Sequence, residues 1–299
     1  MLGGVSHRVD RPVPAHSPER WRLIVHPPGP AAWNMAMDEA ILEAVAAGQA
    51  PPTLRLYRWN PPAVSLGYFQ DFERSVNEAA CRQAGVDVVR RPTGGRAVFH
   101  HREVTYSVCL PPGHPIASGG VLASYRRISE ALQEGLRLLG VASELAVHAR
   151  RPAGWAAGAC FDTPSRYELE WQGRKLVGSA QLRRASGALL QHGSILLELD
   201  AALAGRLLAP GGRGAELLAK VLRARAVSLA EATGRAVGFE EASACVAAGF
   251  ERRLGVRLHR TGPGAAEEAR AAELVALRYG REEWNRRSPA GRGRAGMAV

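Results

Sequence analysis

Residues 158–165 read Gly-Ala-Cys-Phe-Asp-Thr-Pro-Ser, and residues 167–183 follow as Tyr-Glu-Leu-Glu-Trp-Gln-Gly-Arg-Lys-Leu-Val-Gly-Ser-Ala-Gln-Leu-Arg. The first run is rich in small residues and ends in a Pro-Ser pair, which is typical of a loop. The second run begins with alternating apolar and polar residues, turns at a Gln-Gly pair at 172–173, and returns as an extended segment. The stretch therefore predicts a loop with Cys160 directly before a β-hairpin with Lys175.

The return strand of this hairpin, 174–183, places several polar and charged side chains on one face. Side chains alternate across a strand, so one face is shared by Lys175, Val177, Ser179 and Gln181. A Ser-Gly turn then leads into another apolar extended run, 188–199, which carries His192.

A thiol near a lysine has a chemical use. The thiolate is the nucleophilic form of cysteine, and a nearby ammonium lowers the thiol pKa by stabilising that anion. Cys160 and Lys175 are therefore suited to attack a thioester and to hold its acyl group covalently. However, a lone cysteine is more often a small buried apolar residue, and a lysine after a turn is an ordinary residue there. The spacing alone leaves both interpretations open.

The composition favours an intracellular globular protein. The chain has 299 residues, of which 46% are hydrophobic, enough for one large domain. No apolar run reaches the length of a bilayer span, and the first twenty residues lack the apolar core of a secretory signal. The four cysteines lie far apart and form no CxxC pair, which fits neither a zinc site nor a disulfide framework: Cys81, Cys109, Cys160 and Cys245. We therefore expect a reduced, cytoplasmic location.

The net charge is +11, and only Lys175 and Lys220 among the 39 basic residues are lysine. A basic surface suits acidic proteins, nucleic acid or a membrane. The chain has no zinc finger, no aromatic-basic RNA-binding motif and no dense basic arm. We therefore expect neither nucleic acid nor a membrane as partner.

A second informative stretch, 90–101, reads Arg-Arg-Pro-Thr-Gly-Gly-Arg-Ala-Val-Phe-His-His. Its glycines suit a loop where backbone approaches a ligand closely, and Arg91 is suited to clamp a carboxylate or phosphate. A plain hairpin turn with positive φ is the more common explanation of a bare Gly-Gly pair. Neighbouring residues of a strand point to opposite faces, so at most one of His100 and His101 faces a site.

The remaining pattern predicts a mixed α+β fold of largely antiparallel sheets with packed helices. Helices are predicted at 34–47 with Asn34 as N-cap, and at 75–84, 121–139, 215–224, 240–253 and 265–279. Strands are predicted at 53–58, 63–67, 86–90, 103–110 and 142–149. In the first helix the apolar residues share one face, while Asp38, Glu39 and Glu43 fall elsewhere. We divide the chain into a flexible leader 1–20, a catalytic domain 21–258, a C-terminal helical segment 259–287 and a disordered tail 288–299.

Several of these motifs together resemble one superfamily over roughly residues 30–287. The Arg-Arg-x-x-Gly-Gly loop with Glu103-Val104-Thr105-Tyr106-Ser107-Val108 resembles the lipoate-protein ligases, which share their fold with biotin protein ligases. The segments 159–169, 173–181 and 191–195, with Arg278-Tyr279-Gly280 and Trp284-Asn285, are similar to octanoyltransferases of the LipM type. One departure is His101, since the family usually has an acidic residue there.

The resemblance implies the biotin/lipoate ligase catalytic-domain fold and an octanoyl transfer. The donor would be octanoyl-acyl carrier protein, and the acceptor a lysine of a lipoyl domain, typically the glycine cleavage H protein. Cys160 would be the acyl-thioester nucleophile and Lys175 the group that lowers its pKa. Substrate would be bound by Arg91, Gly94, Gly95, Ala97, His100, Gly178, Ser179, Ala180 and His192. A thioester donor is already activated, so we expect no ATP, metal or other cofactor, and a monomer.

Three other functions stay open on the sequence. An ATP-dependent lipoate-protein ligase makes an acyl-adenylate and needs no cysteine. An amidotransferase moves octanoyl or lipoyl groups between protein lysines and also uses a cysteine. A nucleic-acid-binding regulator on the biotin-ligase fold would need an added pair of recognition helices, which the leader does not offer.

Overall fold

The computed structural model describes residues 17–146 and 167–287. Cys160 lies outside the described residues, together with the rest of 147–166, the leader residues 1–16 and the tail 288–299.

An eight-stranded mixed sheet forms the centre of the molecule, in the order β11-β1-β2-β6-β10-β9-β8-β7. Its strands are β1 Glu19–Val25, β2 Thr53–Tyr57, β6 Glu103–Leu110, β7 Glu144–Leu145, β8 Leu169–Trp171, β9 Arg174–Arg183, β10 Leu189–Leu196 and β11 Val256–Arg260. The pairs β11–β1 and β1–β2 are parallel, and the other neighbours are antiparallel. The mixed α+β architecture and the hairpin that carries Lys175 are thus as predicted.

A second, three-stranded sheet has the order β4-β3-β5, with β3 Ala63–Leu66, β4 Asp87–Arg90 and β5 Val98–His100. The central strand β3 pairs in parallel with β4 and antiparallel with β5. The segment 91–97 therefore crosses over the end of β3 and does not close a hairpin between β4 and β5. This excludes the interpretation of the two glycines as a plain hairpin turn.

Helices cover both faces of the main sheet. They are α1 Ala31–Ala46, α2 Glu78–Gln83, α3 Gly120–Leu138, α4 Ala201–Leu208, α5 Ala215–Arg225, α6 Leu229–Thr233, α7 Phe239–Leu254, α8 Ala265–Leu274 and α9 Glu282–Arg286. A π-helical turn, Val275–Tyr279, continues α8. In the described part of the chain, no helix is both long and apolar enough to cross a bilayer.

Three apolar cores follow from this layering. The first lies between the main sheet and the antiparallel pair α3 and α7. The second lies on the opposite face of the sheet, under α1 and α8. The third joins the small sheet to α4 and α5. Because side chains alternate along β6, its residues Val104, Tyr106 and Val108 enter the first core while Cys109 enters the second.

The predicted N-cap of α1 was wrong, and two of its acidic residues have an environment that the sequence did not predict. The helix begins at Ala31 with Pro30 before it, and Asn34 lies inside the first turn instead of capping it. The Asn34 amide donates to the carbonyls of Gly29 and Arg58, so it holds neighbouring loops. Asp38 and Glu39 are buried, because α1 is covered by the main sheet on one side and by α8 on the other.

The segment boundaries fall inside elements of the main sheet. Strand β1 starts at Glu19 and takes in the last two residues of the predicted leader. Strand β11 spans the boundary at 258–259 and pairs with β1. Of the predicted strand 142–149, the described part forms only the two-residue β7, and 147–149 lie outside the described residues.

Candidate active site

Lys175 is buried in an ion pair, so it is not an ordinary surface residue of the hairpin. Its side chain is 1% exposed, and its Nζ lies 2.8 Å from Oε1 of Glu168, which is also 1% exposed. Two charges removed from water need such pairing, because either one alone would carry a large desolvation cost. Lys175 is therefore an ammonium held at a fixed place near the end of the segment that contains Cys160.

Among the described residues, the outer edge of β9 has a strand partner along only part of its length. Strand β8 pairs with β9 only from Arg174 to Val177. From Gly178 to Arg183, no strand among the described residues pairs with β9 on the side away from β10. Three predicted substrate-binding residues, Gly178, Ser179 and Ala180, lie at this edge.

The glycine loop packs against the same part of β9. Gly95 has φ of 90°, a left-handed conformation that glycine adopts without steric cost. A Cβ atom on Gly67 would lie 1.9 Å from the Gly95 carbonyl oxygen, and one on Gly95 would lie 4.0 Å from Cβ of Ala180. The loop is thus fixed by backbone-on-backbone contact and reaches the open edge of β9.

Arg91 holds this loop with its guanidinium. It donates to the carbonyls of Ser65, Gly94 and Arg96 at 2.6–3.1 Å and to the Thr93 hydroxyl at 3.1 Å. The side chain is buried. These contacts assign Arg91 a role in shaping the loop, whereas the sequence suggested an anion clamp.

His192 lies beneath the loop in a buried acid–histidine–hydroxyl chain. Its Nδ1 is 3.1 Å from Oδ2 of Asp38, and its Nε2 is 2.6 Å from the Thr93 hydroxyl. Asp38 also accepts hydrogen bonds from Arg55, Tyr57 and Ser107.

The charges in this chain are set by its surroundings. Burial alone would raise the pKa of Asp38, but the Arg55 charge and the His192 and Ser107 hydrogen bonds lower it to about 2. Burial also lowers the pKa of His192, although Asp38 opposes this shift. Neutral His192 must then donate Nδ1–H to the Asp38 carboxylate, so its Nε2 accepts from the Thr93 hydroxyl. His192 is therefore not a cation available to stabilise a thiolate at neutral pH.

His100 belongs to a second buried cluster on the same face of the sheet. Its ring stacks on Trp59 with centroids 4.1 Å apart, and its Nε2 lies 2.7 Å from the Ser65 hydroxyl. Its Nδ1 lies 2.8 Å from Oε1 of Glu103 and 3.2 Å from the Ser194 hydroxyl. His101 is more exposed than His100, so the expected division of the two histidines holds.

Ser179 lies on the other face, at the end of a chain of polar side chains. Gln181 Nε2 donates to Gln191 Oε1 at 3.0 Å, and Gln191 Nε2 donates to the Tyr106 hydroxyl at 3.0 Å. The Tyr106 hydroxyl is 2.6 Å from the Ser179 hydroxyl. Burial raises the pKa of Tyr106 to about 12, so the phenol keeps its proton and can donate it to Ser179.

The predicted site residues thus divide over two faces of the main sheet. One face is directed toward α1 and the glycine loop and carries His192 and Ala180, which pair with each other. His192 also pairs with Ser107, which donates to Asp38. Gly178 belongs to the same face, because it pairs with Ser194, whose hydroxyl contacts His100. Lys175 and Ser179 point toward α3, on the face of Val177 and Ile195. The open edge of β9 is where a ligand could contact both faces. Ala97 is apart from both groups, fully buried in the small-sheet core.

The three described cysteines are poor nucleophiles. Cys81 and Cys109 are buried, and Cys245 is partly buried. Burial raises the thiol pKa of Cys81 to about 12, of Cys109 well above its usual range, and of Cys245 in the same direction. Cys160 lies outside the described residues.

Sequence reasoning missed Glu168, Asp38 and Thr93. The alternating pattern of the hairpin placed Glu168 with the polar, solvent-facing residues, but it is buried as the partner of Lys175. One signal was present: a glutamate and the nearby lysine of one hairpin can meet across it. For Asp38 and Thr93 no local signal exists, because their partner His192 is 154 and 99 residues away.

Comparison with known proteins identifies the class of protein to which this fold and site belong. A family model described as the lipoyl protein ligase A/B catalytic domain matches residues 30–251, so the chain belongs to this family. Two solved structures share the fold. A bi-partite lipoate protein ligase of Thermoplasma acidophilum is 26% identical with a TM-score of 0.74, covering 93% of this chain and all of that one. A lipoate-protein ligase A bound with ATP is 25% identical with a TM-score of 0.74, covering 89% and 98%.

Closer relatives are enzymes of one kind. Proteins named octanoyltransferase LipM from Symbiobacterium thermophilum and Kyrpidia tusciae are 49% and 46% identical, covering 89% and 90% of this chain and 98% and 99% of theirs. The protein of the same name from Bacillus subtilis is 38% identical over 89% of this chain. The resemblance seen in the sequence is confirmed, and the chain is an acyltransferase.

Proposed function

We propose that this acyltransferase moves an octanoyl group from octanoyl-acyl carrier protein to a lysine of a lipoyl domain in lipoate biosynthesis. The acyl group passes through a thioester on Cys160. The acceptor is the lipoyl domain of the glycine cleavage H protein. Relatives that are 38–49% identical over about nine-tenths of the chain and named octanoyltransferases support the octanoyl group.

The observation that carries the cysteine mechanism is the buried Lys175 ammonium. It stands eight residues after Tyr167, on the hairpin that follows the Cys160 segment. A fixed ammonium favours the thiolate over the thiol. The three described cysteines support the same assignment, because their raised thiol pKa values suit them poorly for attack.

The reaction then has two balanced steps. The Cys160 thiolate attacks the thioester carbonyl, its new C–S bond replaces the carrier's C–S bond, and the carrier thiolate leaves and takes a proton. The neutral amine of the acceptor lysine next attacks the enzyme thioester, forms the amide, and returns the Cys160 thiolate while losing its proton. Each tetrahedral oxyanion needs hydrogen-bond donors. The Ser179 hydroxyl, which the protonated Tyr106 phenol supports from behind, is suited to this task.

The ATP-dependent ligase is the second candidate, because the fold matches a lipoate-protein ligase bound with ATP. Incubating the purified enzyme with octanoyl-carrier protein and apo lipoyl domain, without ATP and with a metal chelator present, separates the two. We expect octanoylation of the lipoyl domain under these conditions. Modification that needs ATP and free octanoate would assign the chain to the ligases. Octanoyl transfer only from an already octanoylated lipoyl domain would assign it to the amidotransferases.

A further inference from the structure

A groove lies beside the first turns of α3. It is lined by Gly119, Leu122, Ala123, Arg126, Arg127, Glu130, Tyr167 and Arg253 and has a volume of about 480 Å³. Three arginines and one glutamate supply its charges. The groove is therefore basic, and its floor is made by short or apolar side chains.

Ion pairs hold two of the three arginines of the groove in place. Glu130 accepts from Arg126 Nε at 2.8 Å and from Arg253 Nη2 at 2.5 Å. The two arginine side chains are 57% and 52% exposed, while Glu130 is 15% exposed. One carboxylate thus orients two guanidinium groups, and much of each stays open to solvent for a partner.

The same arrangement repeats one helical turn further along α3. Glu134 lies 2.7 Å from Arg137 and 3.7 Å from Arg252, and both arginines are about 60% exposed. We call the surface formed by Arg126, Arg127, Arg137, Arg252 and Arg253 with Glu130 and Glu134 the α3–α7 arginine face. Five cations against two anions leave it with a positive potential that attracts an acidic surface.

The groove also contains an exposed apolar side chain, and one of its residues is next in sequence to the proposed site. Leu122 is 49% exposed at its mouth. Tyr167, under the Arg126 guanidinium, has φ of 66° and is held by its N–H bond to the Ala146 carbonyl. The next residue, Glu168, is the buried partner of Lys175. The basic groove therefore ends one residue from the ion pair of the proposed site.

We propose that the α3–α7 arginine face is the docking surface for the acidic acyl carrier protein that donates the octanoyl group. This assignment rests on the proposed function and names the surface that serves its first half-reaction. Charge complementarity selects the donor over the acceptor. The donor brings its thioester on a phosphopantetheine arm whose phosphodiester is anionic, and the arginine-lined groove attracts it. The acceptor brings a lysine ammonium, which the same groove repels.

The sharpest test introduces a negative or a positive charge at position 122. Leu122 is apolar, so replacing it removes none of the ion pairs of the α3–α7 arginine face. Leu122→Glu and Leu122→Arg both replace the apolar side chain with a charged one, and the two charges have opposite signs. Acylation of the enzyme is followed by intact mass with two donors, octanoyl-carrier protein and the small thioester octanoyl-N-acetylcysteamine. We expect the ratio of the carrier-protein rate to the small-thioester rate to be about 10-fold lower in Leu122→Glu than in Leu122→Arg at low salt.

A second pair of variants tests the arginines themselves. Arg126→Gln/Arg253→Gln removes two charges from the face. Arg82→Gln/Arg235→Gln removes two exposed, ion-paired arginines from other surfaces. The rate ratio should fall about 10-fold in the first double variant and stay near the wild-type value in the control. Thermal melting of each variant verifies that it is folded.

The outcomes separate this assignment from the proposed function. Equal slowing with both donors would mean damage to the site and would overturn the docking assignment. If only the transfer from pre-acylated enzyme to the lipoyl domain is slower, the face binds the acceptor. That result would also overturn the docking assignment. Wild-type enzyme that takes octanoyl from neither donor would overturn the proposed function itself, and the docking assignment with it.

Discussion

At the scale of single residues, Lys175 shows how the structure changes the expected chemistry. The sequence offered either a tuning cation or an ordinary turn residue, and the buried pair with Glu168 rules out the second. An ammonium that already faces a carboxylate still stabilises a nearby thiolate, but removing it has two effects at once. It takes away a cation and leaves a buried anion without this partner.

These two effects can be measured separately. Lys175→Met should cost about 3–5 kcal/mol in the free energy of unfolding, because it removes one partner of a buried ion pair. Glu168→Gln/Lys175→Met should recover most of that loss in urea unfolding. If Lys175 tunes Cys160, alkylation of Cys160 by iodoacetamide, followed by peptide mass, should require higher pH in both variants. A double variant whose alkylation curve overlays that of the wild type would leave Lys175 without this role.

Two histidines, the partly buried His26 and the buried His192, predict how stability depends on pH. Burial, together with the Arg55 charge, lowers the pKa of His26 to about 4, and burial lowers the pKa of His192. In the unfolded chain each takes up a proton near its ordinary pKa of about 6.5. The unfolded state therefore binds more protons below that pH, and the free energy of unfolding decreases as the pH falls.

We accordingly expect the melting temperature to fall between about pH 7 and about pH 5, a window above the titration of Asp38. His26→Asn keeps an acceptor for Arg55 Nε, which now bonds His26 Nδ1 at 2.7 Å, and it does not titrate. Its melting temperature should depend less on pH than that of the wild type. An equal pH dependence in both proteins would contradict the assignment to His26.

At the scale of secondary-structure elements, the sequence predicted most strands and helices but not how they are joined. Apolar residues that repeat with a period of 2 or 3.6 indicate which face of a strand or helix is apolar. For β6 the prediction, Glu103–Leu110, has the observed bounds. In α1 these patterns did not indicate that Asp38 and Glu39 are buried, because a helix covered on two sides has no solvent face for its polar residues. They also could not show that 91–97 crosses the end of β3, since that depends on pairing between distant strands.

Arg90 is the main connection between the glycine-loop region and the C-terminal helix. Its guanidinium is fully buried and donates to the carbonyls of Gly67, Tyr68 and Gln70 on one side. On the other side it donates to the carbonyls of Trp284, Asn285 and Arg287. The planar guanidinium of Arg90, with its five N–H donors, thus joins the loop that supports Gly95 to the segment around α9.

Arg90→Lys should therefore destabilise the protein by about 2–4 kcal/mol in urea unfolding, because an ammonium cannot reach both sets of carbonyls. The local effect should be faster amide hydrogen exchange at 282–287. Arg235→Lys, which alters an exposed pair with Glu241, is the matched control and should stay within about 0.5 kcal/mol. Unchanged exchange at 282–287 in Arg90→Lys would show that other contacts hold α9.

At the scale of the whole molecule, fold and site were predictable to different degrees. The mixed architecture and the family followed from patterns and motifs spread over the chain, and the comparisons confirm both. The grouping of the site residues did not follow. Motif residues such as Ser179 and His192 are close in sequence but lie on opposite faces of the sheet. Ser179 pairs with Gly193, the position next to His192 on β10, and neighbouring positions of a strand face opposite sides.

The net charge of +11 gives the whole molecule a field that should act on encounter rates. Screening shortens its reach to about 8 Å at physiological ionic strength. We expect the second-order rate of acylation by octanoyl-carrier protein to fall as sodium chloride rises, while acylation by a small neutral thioester changes little. Parallel salt dependence for both donors would show that charge does not steer the carrier protein.

The thioester on Cys160 is tested most directly by the intact mass of the enzyme after incubation with octanoyl-carrier protein alone. We expect the addition of one octanoyl group, located on Cys160 by peptide mass and absent from Cys160→Ala. Adding apo lipoyl domain should then remove the group from the enzyme and place it on the domain's lysine. A Cys160→Ala enzyme that gains the full adduct, or that octanoylates the lipoyl domain at the wild-type rate, would contradict the thioester on Cys160.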